Sequence, residues 1–247
     1  MERYLSLNSE LHFSLFSAEH LITLAFIVML NLLIFHYRQK KTLKMAQWIR
    51  IIIAMLLILL ELLMNCWIFF YSNWTLQNSL PLELCSITLI LTSIMLLTKS
   101  KGLYELVYFW GLAGASQALL TPELYYGFPH FIYLQFFTAH GLIICACLWM
   151  TFVEGFSPDF KALMKAFGIT NLYALLIAVF NWLTGSNYLF LCSKPANPSI
   201  LDYLGPWPWY ILSLEGVALI FFFLVALPFL WPGSWSRGQK GQYYQHF

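Results

Sequence analysis

Seven runs of apolar residues, separated by polar or proline-bearing stretches, divide the chain between residues 18 and 231. Read as helices, they cover about 18–37, 46–71, 81–98, 103–120, 130–153, 161–183 and 207–231. Most have the roughly 20 residues that a helix needs to cross the hydrocarbon core. The third and fourth are short and are joined by Lys99-Ser100-Lys101-Gly102. The pattern predicts an all-α polytopic membrane protein with seven transmembrane helices. A single transmembrane domain over 1–235 is followed by a short tail over 236–247.

Charge gives the predicted bundle a direction. Arg38, Lys40, Lys41, Lys44 and Arg50, then Lys99 and Lys101, then Lys161 and Lys165, then Arg237 and Lys240 fall on every second connection. Only Arg3 and Lys194 fall on the other side. Lysine and arginine in short loops stay cytoplasmic. The expected topology has the N-terminus outside, the C-terminus in the cytoplasm, and the protein in the cell membrane.

Composition removes the soluble alternative. Of the 247 residues 60% are hydrophobic and 10% charged, against about 25% charged in soluble domains. Mean hydropathy is +0.71. A net charge of +2 spread over several loops makes no nucleic-acid surface. The first run follows Glu2, Glu10 and Glu19 and precedes His36-Tyr37-Arg38-Gln39-Lys40-Lys41, so it reads as a retained helix rather than a secretory signal.

Polar side chains within apolar runs are costly and mark pairing or a cavity. The first run carries His20. The second carries Glu61 and Asn65, four apart and so on one helix face. The third carries Glu83, Cys85, Ser86 and Thr88. The fourth has Gln117, the fifth His130, Gln135 and His140, the sixth Asn171 and Asn181, and the seventh Glu215. Most fall in the outer half, which predicts one polar cavity opening outward. Asn187, Trp207 and Trp209 lie in a long proline-rich outer connection from Gly185 to Pro208. No metal-ligand spacing, CxxC pair or cofactor motif occurs among the Cys, His and Glu residues. Cys66 and Cys192 both lie toward the outside, within the same predicted half.

Several segments together carry a family resemblance. They are Leu80-Pro81-Leu82-Glu83-Leu84-Cys85, Gln117-Ala118-Leu119-Leu120-Thr121-Pro122-Glu123, Phe128-Pro129-His130, Phe136-Phe137-Thr138-Ala139-His140-Gly141, Asn187-Tyr188-Leu189-Phe190 and Gly205-Pro206-Trp207-Pro208-Trp209-Tyr210. They resemble the YwaF-like bacterial integral membrane proteins and, more distantly, the transmembrane protein 164 family. The latter resemblance implies acyl transfer to phospholipids through a membrane cysteine and histidine. The family's Pro-Cys-His run corresponds here to Pro81-Leu82-Glu83, so Leu82 stands at the cysteine position and Glu83 at the histidine position. His140 matches the family's histidine on the fifth helix.

Three functional classes follow from these residues. A lipid-active acyltransferase or acyl hydrolase would use His140 as general base and Cys85 as nucleophile. Glu83 or Glu215 would orient groups or exchange protons, and Asn65, Gln117 and Asn187 would be donors to a developing oxyanion. Its partner is membrane lipid, with an acyl chain as substrate, and His20, Glu61, His130, Trp207 and Trp209 complete the expected binding set. A proton-coupled transporter would use the same carboxylates as proton carriers. A receptor or assembly factor would bind a partner through the long outer connection.

Overall fold

The computed structural model describes residues 2–38, 42–195 and 200–230. A short N-terminal helix α1 (Glu2–Leu5) precedes α2 (Ala18–Tyr37), α3 (Leu43–Tyr71) and α4 (Leu84–Thr98). Next, α5 (Lys101–Phe109) runs without a break through a π-helical stretch (Trp110–Ala115) into α6 (Ser116–Leu120). Helices α7 (Phe131–Phe152), α8 (Phe160–Thr184) and α9 (Trp209–Leu230) complete the bundle. Five of these, α2, α3, α7, α8 and α9, are long and apolar enough to cross a membrane; α4 is a shorter apolar helix. Helix α4 begins at Leu84, three residues after Pro81, so the proline precedes the helix instead of opening it. The predicted tail, 236–247, lies outside the described residues, as do Lys40, Lys41, Arg237 and Lys240.

Local sequence sets the helix ends. Ser17, Thr42, Ser100 and Asp159 each accept a hydrogen bond from a first-turn N–H, at 3.4, 3.2, 3.4 and 2.7 Å. Such caps satisfy donors that the helix itself leaves orphaned, each stabilising by about 1 kcal/mol. Helices α4 and α8 end at Lys99 and Gly185, both in the left-handed region.

The core forms where small residues let backbones approach. Gly111 in the π-helical stretch packs on Ile143 and Cys147 of α7, and Gly141 of α7 packs on Ile27 of α2. Large side chains fill the space around them, with Leu57, Met95, Tyr104, Phe109 and Met150 fully buried. Rings of α5 meet α9 at Phe109–Phe222 and Tyr108–Phe229.

The bundle has two chemically distinct ends. At the basic end, Arg50 and Lys99 both pair with Glu154, at 3.6 and 2.6 Å, and Lys165 pairs with Glu105 at 3.2 Å. Sequence reading placed Arg50 among the loop charges that set topology. It lies instead inside α3, buried, donating to the Leu96 and Leu97 carbonyls at the end of α4. Those carbonyls have no helical partner, and a guanidinium there also complements the helix dipole. At the opposite, loop end, Leu11–Phe13 pairs with Tyr125–Gly127. Gly127 is required there, because a Cβ would stand 2.6 Å from the His12 carbonyl oxygen.

Candidate functional site

The loop ends of α3 and α4 bring together the acidic residues that the sequence distributes over separate runs. Glu61 and Asn65 share one face of α3, and Asn65 Nδ2 donates to the Glu61 carbonyl at 2.8 Å and to its carboxylate at 3.3 Å. Glu61 also hydrogen-bonds Ser86 in the first turn of α4. Glu83 is the N-cap residue of that helix, but its side chain makes no capping bond. Its carboxylate turns away and accepts from Leu189 N at 3.3 Å. Glu123, in the connection after α6, interacts electrostatically with Glu83. Loss of surrounding solvent raises the Glu123 carboxyl above its ordinary range.

Cys85 lies between these acids. It is the second residue of α4, and both Glu83 and Glu61 act on its thiol electrostatically. Cys85 is exposed on the surface of the bundle. The N–H groups of Cys85 and Ser86 fall in the first helical turn, where no intrahelical acceptor exists. No other described residue accepts from them.

The second tier is a set of tyrosines that sequence reading did not single out. Tyr173 of α8 donates to the Leu82 carbonyl at 2.7 Å. The Tyr188 hydroxyl accepts from Leu80 N at 2.9 Å and donates to the Leu76 carbonyl at 3.0 Å. Tyr210 of α9 donates to the Phe190 carbonyl. The Tyr173 and Tyr188 hydroxyls fix the backbone that leads into Glu83, and the Tyr210 hydroxyl holds the turn at Phe190. Their sequence signal is faint, because a tyrosine near a span end also reads as an interfacial anchor.

His140 is not joined to this cluster. Its Nδ1 bonds the Phe136 carbonyl of its own helix at 2.8 Å, and Nε2 is buried without a hydrogen-bond partner. The basic ends of α4 and α7 are held together by Lys99 and Glu154, and counted from those ends Cys85 and His140 lie at similar depth. No described hydrogen bond joins the thiol to the imidazole.

Other expected site residues are held by hydrogen bonds to the protein. His20 is fully buried; Nδ1 accepts from Phe16 N at 3.1 Å and Nε2 donates to the Leu119 carbonyl at 2.8 Å. His130 caps α7 through Nδ1 and bonds the Ser6 carbonyl through Nε2. Gln117 donates to Thr121, and Asn187 is tied to Cys192 and Ser193 within its loop. Gln117, Asn187 and Asn65, the expected oxyanion donors, each bond a residue of their own segment. Trp207 is exposed and donates to the Leu191 carbonyl; Trp209 is exposed at the start of α9. Glu215 is half-buried, on the α9 stripe that continues to Phe222 and Ala226. Cys66 and Cys192 are free thiols.

Two apolar clefts of about 360 Å³ each flank α2. Ile27 and Asn31 line both, and neither cleft includes Glu61, Glu83 or Cys85. Asn31 donates to the Ile27 carbonyl at 2.8 Å, while its buried Oδ1 has no partner. Among the described residues, no three His, Cys, Asp or Glu side chains are grouped to hold a metal ion.

No curated protein and no solved structure matches the chain. A family model, described as the TMEM164 family, matches residues 15–226, which take in α2 to α8 and most of α9. With that match and its several membrane-length apolar helices, this multi-pass membrane protein belongs to the TMEM164 family.

Proposed function

We propose that the chain is a seven-span cell-membrane enzyme that transfers or hydrolyses acyl groups of membrane lipids at a recess beneath the outer face. Family membership supports the lipid-acyl assignment. The two additional spans are α4 and the continuous α5–α6 segment, and the clustering of cations at one end supports an outside N-terminus.

The observation that carries the reading is the environment of Cys85. Two carboxylates, Glu83 and Glu61, lie within electrostatic reach, and unpaired first-turn N–H groups adjoin it. Thiolate formation beside a carboxylate is unfavourable if it adds a second charge. It is easier if the thiol proton passes to that carboxylate, because the pair then keeps one negative charge throughout. In this scheme Glu83 or Glu61 takes the base role that the sequence suggested for His140.

In this scheme the Cys85 sulfur attacks the ester carbonyl of a phospholipid as its proton passes to the carboxylate. The carbonyl oxygen gathers charge opposite the N–H groups of Cys85 and Ser86. The carbon–oxygen ester bond breaks, and the lysophospholipid oxygen leaves with the proton from the carboxyl group. The acyl thioester is then taken by an acceptor hydroxyl, or by water, whose proton returns through the same carboxylate to the thiol.

The test is acyl exchange by purified protein in nanodiscs containing a phospholipid with a labelled acyl chain and a lysophospholipid acceptor. Wild type is expected to form labelled product and an acylated Cys85 peptide. Cys85→Ala should abolish both, and Glu83→Gln should slow turnover by about 100-fold or more. Equal product from wild type and Cys85→Ala, or none from wild type, would remove the proposal.

A further inference from the structure

One buried side chain in this region has no part in the proposed chemistry, yet spends its hydrogen-bonding capacity on a single turn. Asn181, in the last turns of α8, is only 1% exposed. Its Oδ1 accepts from Tyr188 N at 3.0 Å and from Ser186 Oγ at 2.8 Å. Its Nδ2 donates to the Tyr188 carbonyl at 2.9 Å. Tyr188 is therefore gripped through both of its backbone polar groups.

The turn held in this way is strained. Leu189 and Phe190 follow with φ of 58° and 52°, a left-handed pair without a glycine. Side-chain-bearing residues enter this region rarely and at a cost, so surrounding contacts must impose it. Its product is the direction of the Leu189 N–H, which meets Glu83 Oε2 at 3.3 Å. The same Tyr188 holds the approach to Glu83 from the other side, through its hydroxyl bonds to Leu76 and Leu80.

We infer that Asn181 is a positioning residue for Glu83: it forces the Tyr188–Phe190 turn into the shape that aims the Leu189 N–H at the carboxylate and so sets its placement against Cys85. The catalytic consequence rests on the reading of Glu83 as proton acceptor, whereas the geometric link does not. A purely structural Asn181 would close the C-terminus of α8 and leave Glu83 and Cys85 unaffected by its loss.

A double-mutant cycle separates the two roles without requiring turnover. The alkylation rate of Cys85 by a small maleimide is read by peptide mass spectrometry on the full-length protein in detergent. Asn181→Ala and Glu83→Ala should each change that rate by about threefold or more, and the double variant should match Glu83→Ala alone. Asn181→Ser, which keeps a small polar group but cannot span both Tyr188 backbone groups, provides a second cycle if Asn181→Ala does not fold. Additive effects in the cycle that folds, or an Asn181→Ala or Asn181→Ser rate equal to wild type, would overturn the inference. In the acyl-exchange assay, Asn181→Ala should lower kcat and leave KM near wild type; an unchanged kcat would also overturn it. A non-additive cycle in a protein with no acyl exchange would uphold the geometric link while the proposed function failed.

Discussion

Replacing Gly111 by alanine tests how closely the π-helical stretch and α7 approach one another. The added methyl would stand 2.7 Å from Cys147 Sγ and 2.9 Å from Ile143 Cγ2, both closer than carbon and sulfur atoms settle without movement. Neither neighbour yields easily. Ile143 is 1% exposed and β-branched, which restricts its χ1, and the Cys147 sulfur is directed to the Val107 carbonyl at 3.4 Å. Overpacking of this kind costs about 1–3 kcal/mol. For a chain of this size, each kcal/mol corresponds to roughly 2–4 °C in midpoint. Gly114, three residues along the same stretch, has no atom within 4 Å of an added Cβ. The two substitutions therefore share a segment and a residue type and differ in space alone. Thermal unfolding in detergent, followed by loss of the monodisperse chromatographic peak, should place Gly111→Ala several degrees below wild type and Gly114→Ala close to it. Equal midpoints for the two variants would refute the packing argument.

Other expectations test the two ends of the bundle. Arg50→Met should destabilise by about 1–3 kcal/mol in the same unfolding assay, because the α4 carbonyls lose a buried donor while Glu154 keeps Lys99; a midpoint indistinguishable from wild type would count against these contacts. His20→Leu should expose the Phe16 amide to hydrogen exchange and cost about 1–3 kcal/mol for each backbone group left unpaired; unchanged protection would show that the imidazole bonds are dispensable. A green fluorescent protein fused to the C-terminus should fluoresce in cells, and alkaline phosphatase inserted after Gly185 should be active. The reverse pattern would dismiss the outside N-terminus and cytoplasmic C-terminus.

The helices were legible because each buries or presents an apolar surface over a length that the sequence displays directly. Their ends were less so: α4 starts at Leu84 rather than near Pro81, since the Tyr188 and Tyr173 hydroxyls take up the backbone of Leu80 and Leu82 in a non-helical form. The π-helical stretch left no periodic trace, because one wide turn shifts the apolar pattern less than a helix boundary does. Polar residues within spans were legible as a class, but their hydrogen-bond partners were not. His20 and His130 satisfy backbone groups far away in sequence, at Leu119 and Ser6, and no local pattern announces such a partner. Arg50 was misplaced for the opposite reason: a cation near a basic loop resembles its neighbours until the chain folds Glu154 against it. Asn181 was visible as a buried amide, but the turn it shapes became apparent only from backbone geometry.

Arg50 also constrains how the chain is assembled. It enters the membrane interface with α3, well before ribosomes have synthesised Glu154 at the end of α7. Until then the guanidinium is left to lipid phosphate and water, so a chain arrested between the two residues would present a cation that the finished bundle covers.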